Sequence, residues 1–397
     1  MKFRFINANE PVTTFYRDIV PYFVSQGHEV DVLTSKALYR GDRDLDEAIG
    51  HLKGVRVVKT AGLSINDYSS SVLSKALVRG LYAVHGFFLM LFGKQVDKNV
   101  FLTQPPFFYS VGPILRFFRK EKYYCVVMDV QPQQYNEFGI ISKSSLLSKA
   151  LYKLSSWGLR NADGIIVIGR CMSDIIESMG VDKNKISFIP NWTTEEKYTP
   201  VAREDNKIRL KNKWEDKFII SYGGNIGFAQ NFDSIIDAAN KLKHNNNIMF
   251  LLVGGGGKVK ELKEKVNKLG LSNFIFMPYM HGEYSLSTIY GAGDINFISL
   301  KESCTGLGVP SKAYVSLASG RPILYQGSKT GEIARMIIES KIGAVVSDTQ
   351  ELVDTINIYY KDPSRCIEEG KRARDFSEKK YSAKAAISSY LSVLSQD

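Results

Sequence analysis

Short β-rich apolar runs alternate with longer segments of helical composition over nearly the whole chain of 397 residues. This alternation is typical of a parallel sheet whose strands are joined by crossover helices. It breaks once, over residues 186–214, where prolines and charged residues interrupt any apolar period, and then it starts again. The chain is also longer than one hydrophobic core usually supports, so the sequence predicts two α/β domains.

Both halves are predicted to be doubly wound, Rossmann-like units, which bind ligands outside the carboxyl ends of their strands. The predicted strands are 3–8, 29–34, 55–60, 99–104, 123–130 and 164–169, then 218–224, 249–255, 274–279, 294–300, 322–326 and 344–347. The predicted helices are 12–26, 71–92, 107–119, 144–160 and 171–179, then 230–243, 257–269, 284–291, 311–319, 330–340 and 349–360.

The domain boundaries follow from the break in this pattern. We expect a first domain over 1–185 and a second over 186–379, with ligands bound in a cleft between them. The final segment, 380–397, contains a helix whose apolar positions have helical spacing and need a surface to cover. We therefore expect it to pack back on the first domain.

The net charge of +11 indicates an anionic partner, such as a nucleotide, an anionic lipid surface or nucleic acid. No RNP, zinc-finger or helix-turn-helix signature appears, so nucleic acid is not expected. The four cysteines form no CxxC pair and the N-terminus resembles a strand rather than a signal peptide, which favours a cytosolic protein. The apolar stretch 78–92 is shorter than the roughly 20 residues of a membrane-spanning helix.

Two glycine turns follow predicted strands of the second half. Residues 223–227 read GGNIG, and residues 254–257 read GGGG. Glycine lets the backbone approach a ligand closely, and a following helix N-terminus favours an anion. For the first turn, a tight connection without a ligand is an equally good explanation. Val259 replaces the third glycine of a dinucleotide fingerprint, so a general nucleotide-binding edge is favoured over an NAD site.

A third element, residues 301–322, leads from a strand end through Gly306 and Gly308 into a helix that begins near Ser311. Lys312 then lies in the first helical turn, where a cation opposes the helix dipole. A bound diphosphate would turn this repulsion into attraction. We predict that Ser311 and Lys312 contact a diphosphate; the alternative is a solvated lysine at a helix start.

Longer segments carry a specific resemblance. They are YGGNIGFAQNFDSIIDAA, LLVGGGG, FIFMPYMHGEYSLSTIYGAGDINFISL and VPSKAYVSLASGRPIL in the second half, and QGHEVDVLTS, TQPPFFYSVG, MDVQP and ISFIPNW before it. In order and spacing they resemble glycosyltransferase family 4, whose members have the two-domain GT-B fold. The PSK…ASGRP form is most similar to the WbuB-like subgroup, which includes the O-antigen N-acetyl-fucosamine transferase and related capsule enzymes.

The resemblance implies a retaining transferase that moves a sugar, an N-acetylated amino sugar in this subgroup, from a UDP-linked donor to a polyprenyl-diphosphate-linked saccharide. No metal or other cofactor is expected, because Asp44 and Asp46 lie in a predicted loop and His281 stands alone. A nucleotide-sugar epimerase of the same architecture and a catalytically silent nucleotide-sugar-binding scaffold remain alternatives.

The chain departs from the family at the donor site. The family's Glu-x7-Glu pair falls on Leu307 and Val315, and its usual Arg and Lys fall on Asn225 and Gln230. This departure gives the silent scaffold some weight and leaves Lys312 as the expected cation at the diphosphate. The expected donor contacts are Gly223, Gly224, Asn225, Gln230, Gly254, Gly255, Tyr279, Glu302, Thr305, Gly306, Leu307, Gly308, Ser311 and Lys312.

Asp129 ends a predicted strand of the first half. A carboxylate there can contact a hydroxyl or stabilise positive charge at the anomeric carbon. The resemblance implies a front-face reaction in which the leaving phosphate helps to deprotonate the acceptor, so Asp129 would position substrate. An aspartate that caps a turn is an equal alternative. We assign Asp129 and Lys312 to catalysis, and Asn9, Thr13 and Thr14 to the acceptor side.

Basic and aromatic residues gather on two predicted helices of the first half. Mixed Phe and Lys or Arg suits the headgroup region of an anionic membrane. The expected membrane contacts are Lys75, Arg79, Phe87, Phe88, Arg116, Arg119 and Lys120. We predict a peripheral, salt-sensitive association with the inner face of the cell membrane.

Overall fold

The computed structural model describes residues 1–7, 13–35, 46–60, 72–194, 198–278 and 283–396. The chain forms two compact units. The first consists of Met1–Ile189 together with Ile387–Asp397, and the second of Pro190–Ala386. Each unit contains one parallel sheet.

The first unit has the strands β1 (Lys2–Ile6), β2 (Glu29–Ser35), β3 (Val55–Thr60), β4 (Lys98–Leu102), β5 (Lys122–Val127), β6 (Gly164–Val167) and β7 (Ile186–Phe188). Its helices are α1 (Thr13–Ser25), α2 (Val72–Phe92), α3 (Gly112–Arg119), α4 (Gln133–Glu137), α5 (Leu146–Arg160) and α6 (Arg170–Ser178). The strand order is β3-β2-β1-β4-β5-β6-β7, so the order reverses between β1 and β4.

Burial explains why the strands of this sheet are so apolar. Every residue of β4 and β6 is buried, as expected for a parallel sheet covered on both faces. Phe3 and Phe5 of β1 meet Phe23 of α1 edge to face, with ring centroids 5.1 and 5.4 Å apart. Lys98, buried in β4, donates a hydrogen bond to the backbone carbonyl of Gln396, which ties the last residues of the chain to this unit.

The second unit has the strands β8 (Phe218–Asn225), β9 (Ile248–Gly255), β10 (Phe274–Met277), β11 (Ile295–Ser299), β12 (Ile323–Gln326) and β13 (Gly343–Val346). Its helices are α7 (Lys207–Asn212), α8 (Asp233–Lys241), α9 (Val259–Lys268), α10 (Leu286–Gly291), α11 (Lys312–Ala318), α12 (Glu332–Ser340), α13 (Thr349–Lys361) and α14 (Pro363–Lys380). Helix α15 (Ala383–Ser395) follows and continues into the first unit. The strand order is β10-β9-β8-β11-β12-β13.

The predicted fold class, two Rossmann-like units, is confirmed by these sheets. The predicted linker is more structured than expected, because it contains β7 and α7. Strand β7 pairs with β6 and so belongs to the first unit. In α7, Arg209 is fully buried and donates to Asp294 at 2.7 Å, a contact between residues far apart in sequence. Such a contact stabilises a helix that its local sequence does not predict.

Helix α14 is also absent from the sequence prediction. Its buried face is made of small and polar residues, Cys366, Glu369, Gly370, Ala373 and Ser377. A Cβ on Gly370 would lie 2.4 Å from the carbonyl oxygen of Gly320, so the helix packs backbone against backbone. A helix that packs through small residues has no strong apolar period, which is why the pattern misses it.

Candidate functional site

The candidate donor site lies where β8 and β11 end. The strand order of the second sheet reverses between these two strands, and open α/β sheets bind ligands at such a reversal. The loops that follow the two strands are tied together. The hydroxyl of Ser299 accepts a hydrogen bond from the N–H of Asn231 at 2.8 Å, and the N–H of Lys301 donates to the carbonyl of Ala229 at 2.8 Å.

The two predicted glycine turns pack against each other at this edge. Gly224 pairs with Gly254, and Asn225 with Gly255, in the parallel register of β8 and β9. Gly254 has φ +154°, and a Cβ there would lie 1.9 Å from the carbonyl oxygen of Gly224. Any side chain at 254 would therefore collide with the neighbouring backbone. Close packing of the strands is sufficient to require this glycine.

Gly223 and Gly224 leave space for two side chains. A Cβ on Gly223 would lie 3.0 Å from the ring of Tyr290, whose hydroxyl donates to the carbonyl of Gly223 at 3.0 Å. A Cβ on Gly224 would lie 3.6 Å from both Cε and Nζ of Lys312. The first glycine turn thus lies against the lysine that the sequence predicts to bind a diphosphate.

Lys312 is the first residue of α11, and its ammonium contacts Tyr222 of β8. Its Nζ donates to the Tyr222 hydroxyl and lies 3.9 Å from the centroid of the same ring. That hydroxyl in turn donates to the carbonyl of Asn225. Within the described ranges, no carboxylate forms an ion pair with Lys312. Helix α11 and strand β8 therefore hold a cation at the donor edge without a counter-charge.

Desolvation lowers the pKa of Lys312 from 10.5 to about 7. The ammonium also lies over the face of the Tyr222 ring, which attracts a cation. A bound anion would raise the pKa again by supplying the missing charge. A lysine with this pKa would gain a proton if an anion bound beside it.

The loop before α11 contains several of the predicted donor contacts. Glu302 begins a short 3-10 turn, Glu302–Cys304, and is exposed. Thr305 has a buried hydroxyl oxygen with no hydrogen-bond partner among the residues that the structure describes. Gly306 has φ +77°, which favours glycine at this turn. The loop therefore offers one exposed carboxylate and one unsatisfied hydroxyl.

The two residues that align with the family's glutamate pair have packing roles in this structure. Leu307 is buried, and Val315 packs against the apolar cluster that includes Ile219 and Tyr290. Gly308 and Ser311 complete the loop, and the side chain of Ser311 makes no capping hydrogen bond to α11. Neither glutamate position offers a polar side chain to a sugar.

The remaining predicted donor contacts differ in what they do. The Oε1 atom of Gln230 accepts a hydrogen bond from the N–H of Gly227 at 3.1 Å, so this side chain closes the turn after β8. The backbone of Asn225 accepts the Tyr222 hydroxyl. Tyr279 lies outside the described residues. The sequence analysis missed Tyr222, because an aromatic residue in a buried strand is usually part of the core.

Asp129 follows β5 in the first unit. Gln134 of α4 donates from Nε2 to its Oδ1 at 2.7 Å. Burial raises the pKa of Asp129, and the Gln134 hydrogen bond opposes this effect. Burial also raises the pKa of the neighbouring Tyr135, on which the charges of Arg79 and Asp129 act in opposite directions. These contacts make Asp129 a half-buried, hydrogen-bonded carboxylate at a strand end.

The predicted acceptor residues are largely outside the description. Asn9 lies outside the described residues. Thr13 and Thr14 form the start of α1, and only their backbone is described. Lys75 lies in α2, and again only its backbone is described. The assignment of these residues stays a prediction.

An exposed aromatic surface covers parts of α2 and α3, two helices that contact each other. Phe92, Phe117 and Phe118 are 77%, 79% and 67% exposed, and half-exposed Phe88 stacks on Phe92 at 6.1 Å. We call the set Phe88, Phe92, Phe117 and Phe118 the aromatic patch. Phe87 is part-buried beside it, and Lys120 is exposed.

Two arginines of this region have structural partners. Arg119 donates to the carbonyls of Leu91 and Gly93 at 2.7 and 3.0 Å and to Glu121 at 3.0 Å. These bonds hold the guanidinium inward, and the assignment of Arg119 as a membrane contact stays a prediction. Arg116 is half-exposed and forms an ion pair with Asp163 at 3.2 Å.

In the described part of the chain, no cluster of three or more His, Cys, Asp or Glu could hold a metal ion. No helix among the described residues is both long and apolar enough to span a membrane.

Two doubly wound parallel sheets, with Lys312 at the strand-order reversal of the second, are the architecture of the two-domain GT-B glycosyltransferases. Two family models match the chain: "Glycosyl transferases group 1" over residues 204–382 and "Glycosyl transferase 4-like domain" over residues 12–192. "Probable glycosyltransferase WbjE" of Pseudomonas aeruginosa is 32% identical over 278 residues, 68% of each chain. The chain belongs to the group 1 glycosyltransferases, which confirms the predicted enzyme class.

Further comparisons agree. WcaI of Escherichia coli strain K12, whose name assigns it to colanic acid biosynthesis, is 24% identical over 91% of this chain and 90% of its own. The crystal structure of Anabaena HepE in complex with UDP has a TM-score of 0.75 at 14% identity and full coverage of both chains. At this identity the structural match supports the GT-B fold alone.

Proposed function

We propose that this protein is a retaining glycosyltransferase of bacterial surface polysaccharide synthesis. Its donor is a UDP-linked sugar, an N-acetylated amino sugar, bound by the second unit. Its acceptor is a lipid-linked saccharide, in O-antigen or capsule assembly, bound by the first unit. The WbuB-like subgroup of the sequence analysis stays part of this proposal.

The observation that carries the proposal is the ammonium of Lys312, which lies against Tyr222 and has no ion-pair partner among the described residues. A cation without a counter-charge is unfavourable when desolvated, and a diphosphate supplies that charge. Anabaena HepE, which has the same fold, is described in complex with UDP and with UDP-glucose. These neighbours support a uridine nucleotide as the ligand.

In the proposed reaction, the bond between the anomeric carbon and the diphosphate oxygen breaks, and the oxygen of the acceptor hydroxyl bonds to the same carbon on the same face. The hydroxyl proton passes to the leaving phosphate. Lys312 stabilises the negative charge that grows on the leaving diphosphate. Asp129 positions the acceptor. No residue of the chain is required as a covalent nucleophile, and no metal is invoked.

A lipid-linked acceptor requires the enzyme to work at a membrane. The aromatic patch offers apolar surface beside the exposed Lys120 and the half-exposed Arg116. Aromatic side chains that enter the headgroup region and cations that meet anionic lipids bind membranes together. We infer that the patch holds the protein at the inner face of the cell membrane.

The first test is donor binding. Among nucleotide sugars, UDP-linked N-acetylhexosamines are expected to raise the melting temperature most, since a ligand that binds only the folded state stabilises it by mass action. Lys312→Met is expected to weaken binding of UDP by about tenfold to a hundredfold, the range for a charge-assisted hydrogen bond. Lys268→Gln, at the far end of α9, is the matched control and keeps the affinity of the parent.

The loss of the glutamate pair at Leu307 and Val315 is the observation that favours a silent scaffold. Incubation of the protein with donor and a lipid-linked acceptor separates the possibilities. Transfer supports our proposal. Donor binding without any turnover points to the scaffold, and an altered sugar on the nucleotide without acceptor points to an epimerase.

A further inference from the structure

A groove of about 580 Å³ lies in the first unit, between α4 and the start of α5. Its apolar lining comes from Pro132, Leu146, Ala150 and Tyr152. Leu146 is 84% exposed. A leucine that is exposed to this extent beside a groove offers a surface for a hydrocarbon chain.

Three lysines line the same groove, Lys143, Lys149 and Lys153. Lys149 and Lys153 are four residues apart on α5, so they lie on the same face of the helix. The sequence has no Asp or Glu between Glu137 and Asp163. Within the described ranges, none of the three lysines has an ion-pair partner. The groove thus combines an apolar lining with cations that lack a counter-charge.

We propose that this groove binds the isoprenoid diphosphate end of the lipid-linked acceptor, with the diphosphate against the three lysines and the first isoprene units over the apolar lining. This inference rests on the proposed transferase function. A diphosphate carries more negative charge than the single phosphodiester of a bilayer lipid, so it matches three unpaired cations better. A free anion leaves the apolar lining uncovered, and a neutral lipid leaves the lysines without a partner.

Helix α4 joins the groove to Asp129. Gln133 and Asn136 line the groove, and Gln134 of the same helix donates to Asp129 at 2.7 Å. The hydroxyl of Ser148 donates to Oδ1 of Asn136 at 3.1 Å, which holds α5 against α4. A saccharide attached to a diphosphate in the groove therefore begins one short helix away from the carboxylate that we assign to the acceptor.

The test is calorimetric binding of farnesyl diphosphate to the full chain. The double variant Lys149→Gln/Lys153→Gln is expected to bind about 25-fold more weakly, at about fivefold per lysine. The control Lys53→Gln/Lys183→Gln removes the same charge from exposed positions outside the groove and keeps the affinity of the parent.

A second pair of variants tests the apolar lining. Leu146→Ser removes a groove residue, whereas Leu147→Ser removes its neighbour, which is 58% exposed and does not line the groove. Both side chains are exposed, so neither change is expected to affect folding. Weaker binding of farnesyl diphosphate to Leu146→Ser alone supports the proposal, and equal affinities of the two variants overturn it.

Three further ligands identify the occupant. Inorganic pyrophosphate and farnesol should each bind at least tenfold more weakly than farnesyl diphosphate. If either one binds as tightly as farnesyl diphosphate, the proposal that the groove recognises both the diphosphate and the hydrocarbon chain is refuted. Preferential binding of monomeric dihexanoyl phosphatidylglycerol assigns the groove to bilayer lipids instead. UDP binding is measured on the same samples. Its loss would refute the donor site, whereas retained UDP binding without farnesyl diphosphate binding refutes this inference alone.

Discussion

Donor affinity should depend on pH through one lysine. Burial lowers the pKa of Lys312 to about 7 in the ligand-free protein, and a diphosphate against its ammonium raises that pKa. The protonated lysine is therefore the form that binds. Because the ligand-free protein loses this proton as pH rises above 7, binding at alkaline pH includes the uptake of a proton and becomes weaker.

The size of the effect follows from the fraction of protein that carries the proton. With a pKa of about 7, that fraction is about nine-tenths at pH 6 and about 3% at pH 8.5. The dissociation constant for UDP-glucose should therefore rise about 30-fold over this interval, or about 2 kcal/mol. UDP-glucose is the ligand of choice, because both of its phosphates are fully ionised throughout the range.

Isothermal titration calorimetry measures both consequences. At pH 8.5, titrations in two buffers with different heats of protonation should show the uptake of close to one proton per UDP-glucose bound. Lys312→Arg keeps its charge over the whole range, so its affinity should vary little with pH. Lys312→Met should bind weakly at every pH and take up no proton.

The pH dependence of the stability of the ligand-free protein provides an independent check on the direction of the pKa shift. In the unfolded chain the lysine holds its proton up to about pH 10.5. Between pH 7 and 10.5 the unfolded state thus binds more protons than the folded state, and this group makes the protein more stable as pH rises. A parent affinity that stays within twofold from pH 6 to 8.5, with no proton uptake, would refute the reasoning.

Two further predictions concern the first unit. Phe117→Ser/Phe118→Ser should lower the affinity for phosphatidylglycerol vesicles at low salt by at least roughly tenfold, since exposed phenylalanines that enter a membrane each contribute about 1.5–3 kcal/mol. The control is Ile367→Ser, which changes an exposed residue of the second unit. Equal sedimentation of the two variants with the vesicles would contradict the proposed role of the aromatic patch. Asp129→Asn should leave UDP binding unchanged and slow sugar transfer by roughly a hundredfold, as measured by radiolabelled sugar incorporation; unchanged transfer would leave Asp129 as a residue that only caps a turn.

Most of the fold was predictable because the local sequence of most strands and helices carries the pattern of that structure. A buried parallel strand is a continuous apolar run, and a helix on its face has an apolar period, so a strand overlaps each predicted strand range. Where the stabilising contact is remote in sequence, local reasoning fails. Strand β7 needs β6 as its partner, and α14 is buried through Gly370 and other small residues.

The site was predictable in part. The position of Lys312 in the first turn of a helix follows from the sequence, and the structure places it at the expected edge. Its partner Tyr222 lies 90 residues earlier in the chain, and no pattern links the two. The groove lysines of α5 were also missed, because a charged helix face is usually only solvated. The internal hydrogen bonds of Arg119 were missed as well, since a basic residue among aromatic ones suggested only a membrane contact.

The missing glutamate pair and the unpaired lysine are two aspects of one change. Val315 and Lys312 are three residues apart on α11, so their side chains lie on the same side of the helix. A glutamate at 315, as the resemblance implies for the family, would place a carboxylate beside the lysine and neutralise it. With valine there, packed in the apolar cluster of the second unit, the charge of Lys312 stays available. Without these two acidic side chains, the charge of Lys312 stays available for the diphosphate that we propose as its ligand.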